Sequence, residues 1–131
     1  MEIIDREKSI EEINTMSPLT WAYIGDSVYE CYIRMYLVNN TNNKPHKLHV
    51  EAIKYVKAQA QAEILKKIES ELTEKELEIA KRGRNAENHH LPKNASVQDY
   101  NYSTGFEALI GYLYLTKQDE RLKELLSKCI L

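Results

Sequence analysis

Tyr23-Ile24-Gly25-Asp26-Ser27-Val28-Tyr29-Glu30 sets a glycine and an aspartate inside an apolar run of helical spacing. Ser103-Thr104-Gly105-Phe106-Glu107-Ala108-Leu109-Ile110-Gly111-Tyr112 repeats the combination with a glutamate. A glycine inside a helix costs roughly 1 kcal/mol against alanine and so calls for a packing or functional reason. A close crossing of two helices, with Gly25 and Gly111 in the contact, supplies that reason and brings Asp26 and Glu107 together. Carboxylates on a buried helix face are costly unless something cationic meets them, and two that face each other repel. A divalent metal ion resolves both problems.

Beyond these two segments the apolar spacing is helical almost everywhere, so the expected fold class is all-α. Ser17 as N-cap and Pro18 at the first helical position open a long helix that should run to about Leu37, ahead of the polar Asn39–Asn43 loop. Ile53, Val56, Ala60, Ile64 and Ile68 recur at three and four, which predicts one continuous buried stripe on a helix beginning after Pro45. Thr73 and Glu76 form a capping box for the next helix, with Leu77 and Ala80 on its inner face and Gly83 near its end. Asn88 to Asn101 lacks periodicity and contains Pro92, predicting a long surface loop. Ser103 or Thr104 then caps the second glycine-bearing helix, and Glu120 to Lys128 forms the last one.

Composition bounds the function without fixing it. A chain of 131 residues suits one domain with a core of its own, taken here as residues 1–131. No segment approaches the roughly 18 consecutive apolar residues of a membrane span, and the first residues lack the apolar region of a signal peptide, which predicts a soluble, cytoplasmic protein without a membrane partner. Cys31 and Cys129 lie far apart, so buried free thiols are expected rather than a metal knuckle. The net charge of −2 gives no global signature of nucleic-acid binding. Local clustering tells more. Lys81, Arg82 and Arg84, with Asn85, Lys93 and Asn94 close by, are the densest set of phosphate partners, although a solvated helix end would also collect Lys and Arg. His46 with His49, and His89-His90, lack the companions of a zinc site.

The two glycine-bearing segments resemble the ribonuclease III family, whose signature helix reads Leu-Gly-Asp-Ser/Ala-Val and whose later helix reads Phe-Glu-Ala-Leu-Ile-Gly. The intervening Lys81-Arg82-Gly83-Arg84-Asn85-Ala86 and Leu91-Pro92-Lys93-Asn94 resemble the short bacterial branch, mini-ribonuclease III. The resemblance covers nearly the whole chain. It implies a homodimeric, Mg²⁺-dependent endoribonuclease that cleaves double-stranded RNA to 5′-phosphate and 3′-hydroxyl ends and matures a large-subunit ribosomal RNA precursor. Asp26 and Glu107 are then the catalytic and metal-holding residues, Lys81, Arg82, Arg84, Asn85, Lys93 and Asn94 contact RNA, and Tyr23 lies in the dimer interface. Full-length members carry three further carboxylates where this chain has Leu19, Ala22 and Thr104. The site is therefore leaner. Without a separate RNA-binding domain, selectivity falls to the catalytic domain, the Asn88–Asn101 loop, or a partner such as a ribosomal protein bound to the RNA.

Bland alternatives stand beside these readings. Asp26 could accept a tyrosine hydroxyl at a half-exposed position, and Glu107 could serve as the third residue of a capping box with Thr104. A non-catalytic RNA-binding or ribosome-assembly module with a degraded site, and a plain helical interaction domain, are the rival functions.

Overall fold

In the computed structural model, residues 3–87 and 96–130 are described, and every regular element among them is helical. Seven α-helices follow in order: α1 (Ile10–Asn14), α2 (Pro18–Asn40), α3 (Pro45–Val56), α4 (Ala58–Ile68), α5 (Glu74–Arg84), α6 (Val97–Leu115) and α7 (Asp119–Ser127), with a single 3-10 turn at Glu69–Glu71. Ser17 caps α2 by accepting from the Leu19 N–H, with Pro18 in the first turn. The Thr73–Glu76 capping box at α5 is present with both of its hydrogen bonds. A second box, Ser9 with Glu12, starts α1, a helix too short to announce itself by periodicity.

Three boundaries differ from the sequence expectation. Helix α2 continues to Asn40, where the Thr41 N–H and hydroxyl both bond to the Leu37 carbonyl. The single helix expected after Pro45 is two, because Lys57 is extended at φ −65°, ψ 154° and separates α3 from α4. Breaking a helix frees carbonyls that must find other donors. The Tyr29 hydroxyl reaches the Tyr55 carbonyl at 3.0 Å and the Gln61 amide reaches that of Val56 at 2.9 Å, so tertiary partners replace the missing turn. The stripe changes accordingly: Ile53 is exposed, while Ala52, Gln61, Ile64, Leu65 and Ile68 are buried.

The third difference lies at α6, which begins at Val97 with Ser96 as its N-cap rather than at Ser103 or Thr104. Both hydroxyls, buried well inside the helix, donate to the Tyr100 carbonyl at 2.7 and 3.0 Å, which lets polar residues sit mid-helix without orphaned groups. The expected Asn88–Asn101 loop therefore ends before Val97, and its residues 88–95 lie outside the described ones.

Helix α6 is the central element, packed against α2, α4, α5 and α7. Its faces feed two core clusters, one around Tyr29, Ile33, Phe106, Leu109, Leu113 and Leu125, the other around Ile13, Trp21, Ile79 and Tyr112. Edge-on ring pairs, Tyr29–Phe106 at 4.9 Å and Trp21–Tyr112 at 5.1 Å, flank the contact between α2 and α6. At that contact a Cβ on Gly25 would collide with the Glu107 carbonyl, and one on Gly111 with the Trp21 carbonyl. Backbone touches backbone, so only glycine fits at either place.

An ion pair ties the far side together. Arg121 of α7 donates two hydrogen bonds, at 2.8 and 2.9 Å, to the buried Glu76 carboxylate of α5. These bonds hold the Glu76 carboxyl below its ordinary range. At the N-terminus, Arg6 pairs with Asp119 at 2.6 Å and stacks on Tyr114, strapping the segment before α1 to the α6–α7 corner.

Candidate active site

The glycine crossing positions the two carboxylates. Gly25 immediately precedes Asp26 on α2, and its contact with the Glu107 backbone sets the adjoining side chains side by side. Asp26 and Glu107 lie within hydrogen-bond reach of each other, Asp26 at the exposed rim and Glu107 recessed toward α4. Burial, then the negative charge of Asp26, pushes the Glu107 carboxyl up from its ordinary value of 4.5 to about 8. A hydrogen bond from the Gln61 side chain opposes the rise but does not reverse it. Among the described residues neither carboxylate has a Lys, Arg or His ion-pair partner. Since Glu107 sits in the middle of α6, the capping-box explanation for it fails.

This arrangement can hold a cation and little else. Two oxygen-donor carboxyl groups, one of them raised by burial and by its neighbour, suit a hard divalent ion such as Mg²⁺. No group of three or more His, Cys, Asp or Glu side chains converges anywhere among the described residues, so water or substrate oxygens would have to complete an octahedral shell. Leu19 is half-buried, and Ala22 and Thr104 are buried with Thr104 bonded to the Tyr100 carbonyl, so these positions bring no further charge to the site.

The cationic stretch is divided by the fold. Lys81, Arg82 and Asn85 line an open depression of about 820 Å³ together with Glu74 and Glu78, and Arg82 stacks on the Trp21 ring at 4.7 Å. Arg84 turns instead to α6, where it donates to the Tyr102 hydroxyl at 3.1 Å. Lys93 and Asn94 lie outside the described residues, as do His89 and His90. His46 and His49 are exposed on α3. Cys129 is buried, with its thiol pushed up to about 12 by burial, but Cys31 is exposed, contrary to the expectation of two buried thiols. Cys31 lies on the side of α2 that faces a shallow depression lined also by Ile4, Tyr114 and Leu122. Tyr23 is 79 % exposed on α2, among the most exposed of its large apolar residues.

Sequence reasoning missed two contributors. Gln61 carried no distinguishing sign within Ala58-Gln59-Ala60-Gln61-Ala62: Gln59 and Gln61 both lie on α4, one exposed and one buried, and the face of α4 that packs on α6 was not legible. Tyr102 holds the Lys66 ammonium at 4.9 Å and the Arg84 guanidinium at 5.0 Å from its ring centre, two cations on one aromatic just upstream of Glu107.

An all-helical domain with a carboxylate pair at a glycine-sealed crossing of two helices has the architecture of the helical ribonucleases. The ribonuclease III domain family model matches residues 19–118, and the chain belongs to that family as a double-strand-specific endoribonuclease. It is similar to the Mini-ribonuclease 3 of Clostridium tetani, with 44 % identity over 97 % of this chain and 85 % of the relative. With that of a Thermoanaerobacter species it shares 51 % identity over 88 % of this chain and 82 % of the relative. Among solved structures, a Fusobacterium nucleatum protein superposes with a TM-score of 0.80 at 32 % identity, covering 88 % of this chain and 93 % of the other. No helix among the described residues is long and apolar enough to cross a membrane.

Proposed function

We propose that residues 1–131 form one catalytic domain of a homodimeric, Mg²⁺-dependent endoribonuclease. Its substrate is double-stranded RNA, specifically a cytoplasmic precursor of large-subunit ribosomal RNA, cut to 5′-phosphate and 3′-hydroxyl ends. The observation that carries this reading is the Asp26–Glu107 pair, held together by the Gly25–Gly111 crossing with no ion-pair partner for either carboxyl among the described residues. A recessed carboxyl raised by burial and by a second carboxylate beside it is the kind of titratable pair that ligand-binding sites collect. The oxygen-only donor set fits magnesium, with Asp26 and Glu107 as its protein ligands. When bound, the ion would polarise the scissile phosphate and lower the pKa of the attacking water.

The remaining work falls to the chain's own groups. Asp26 at the exposed rim is the ligand open to substrate, while the recessed Glu107 is held on α6 beside the Gln61 amide. Lys81, Arg82 and Arg84, with Asn85, Lys93 and Asn94, contact phosphates and 2′-hydroxyls, the features by which an RNA duplex is recognised. Tyr23 and the apolar outer face of α2, including Met35 and Val38, meet the second subunit, so that two sites address the two strands. The ribosomal RNA target and a ribosomal protein helper rest on the similarity to Mini-ribonuclease 3.

A long RNA duplex, its separated strands and a DNA duplex, each incubated with Mg²⁺ or with EDTA, test the reading. Cutting confined to the RNA duplex and abolished by EDTA is expected. Cutting in EDTA, or of single strands equally, overturns it, and salt-sensitive duplex binding without cutting marks an assembly module instead.

A further inference from the structure

Gln61 is 2 % exposed in the first turn of α4, where that helix packs on α6. Its Nε2 donates to the Val56 carbonyl at 2.9 Å and its side chain also bonds the Glu107 carboxylate. Its Oε1 is buried with no hydrogen-bond partner among the described residues. A buried acceptor left unpaired costs about 1–3 kcal/mol, so a residue needed only to cap the α3–α4 break would be poorly chosen as glutamine. The residue type suits a different task. A lysine here would neutralise the carboxylates and exclude a cation, and a leucine would leave Glu107 with no donor from α4; an amide orients the carboxylate while leaving its charge free, and keeps one acceptor in hand.

We propose that Gln61 is a positioning residue of the metal site, its amide N–H fixing the Glu107 carboxylate for ligation and its Oε1 accepting a hydrogen bond from a hydration water of the ion. The inference rests on the reading of Asp26 and Glu107 as a magnesium site. With only two protein carboxylates, the ion keeps most of its waters, and each of these is a donor that needs an acceptor. The orphaned Oε1 is that acceptor. Partners of this kind commonly change metal affinity 10- to 100-fold when removed, about as much as a weak ligand.

Mn²⁺ serves as the probe, its binding to the metal-stripped protein followed by electron paramagnetic resonance without RNA. Wild type is expected to bind one ion per chain, Asp26→Asn to abolish it, and Gln61→Met, of similar volume, to weaken it by about 10- to 100-fold. A merely structural cap predicts a lower Tm for Gln61→Met with Mn²⁺ affinity unchanged, and that result overturns the proposal while sparing the metal site. Absence of Mn²⁺ binding in wild type overturns the magnesium reading and this inference together. Should Gln61→Met fail to fold, the wild-type Gln61 side-chain amide resonances decide during a Mg²⁺ titration. A shift that saturates with the ion's own affinity supports the role, and unmoved resonances at saturating Mg²⁺ overturn it.

Discussion

Removing the Glu107 charge should stabilise the metal-free protein, and do so only at neutral to alkaline pH. Its carboxyl, held at about 8 by burial and by Asp26, binds its proton more tightly folded than unfolded, where the ordinary value is 4.5. Below about pH 4.5 both states are protonated and the group costs nothing. Between there and pH 8 the unfolded chain loses a proton that the folded chain keeps, so stability falls as pH rises, and the loss is complete just above 8. Each tenfold difference in proton affinity is worth about 1.4 kcal/mol. Allowing for the group's partial exposure, Glu107→Gln should therefore gain about 2–4 kcal/mol over wild type at pH 8, a rise in Tm on the order of 10 °C for a chain of this size. At pH 5 the gap should nearly close. Thermal melts in EDTA at the two pH values read this directly, and adding Mg²⁺ at pH 8 should raise the wild-type Tm while leaving the variant's unmoved. A variant less stable than wild type at pH 8, or a gap independent of pH, refutes the account of Glu107 as an uncompensated recessed carboxylate.

Three further expectations concern other parts of the molecule. Tyr23→Asp, placing a charge in the proposed interface, should give monomers by light scattering with little cleavage, whereas an active wild-type monomer at micromolar concentration would refute the dimer. Arg82→Ala and Arg84→Ala should each weaken duplex binding irrespective of sequence and reduce the slope of log affinity against log salt by about one; an unchanged slope in the double variant returns these residues to the solvated helix end. Arg121→Ala should cost about 3 kcal/mol by leaving buried Glu76 unpaired, and because the Glu76 carboxyl is held below its ordinary value the cost should be full above about pH 5 and vanish as pH falls below the depressed value. Denaturant melts at pH 7 and pH 3 distinguish this from a pH-independent loss of packing.

The α2–α6 crossing was legible because its cause is local: a helix-breaking residue in an otherwise apolar helical pattern has few explanations, and Gly25 and Gly111 each sit against a backbone carbonyl of the other helix. Caps were equally legible at Ser17 and Thr73, where side chain and backbone lie within three residues. Boundaries set by distant partners were not. The extended Lys57 depends on Tyr29 and Gln61 meeting the Tyr55 and Val56 carbonyls, and the early start of α6 depends on Ser103 and Thr104 turning their hydroxyls back onto Tyr100. Both look like caps or continuous helix when read in a window. The carboxylate pair was visible in the sequence as two residues, but their unequal burial, with Asp26 at the rim and Glu107 recessed beside Gln61, needed the packing of α4.

The central claim is that Asp26 and Glu107 act as one metal-holding unit, and the most direct measurement is single-turnover cleavage of an RNA duplex by Asp26→Asn, Glu107→Gln and the double variant in Mg²⁺. Each single substitution should abolish cutting while duplex affinity stays near wild type, and the double variant should be no slower than the worse single one, because two ligands of one ion fail together. A Glu107→Gln enzyme that cuts at the wild-type rate, or losses that multiply in the double variant, would contradict the claim.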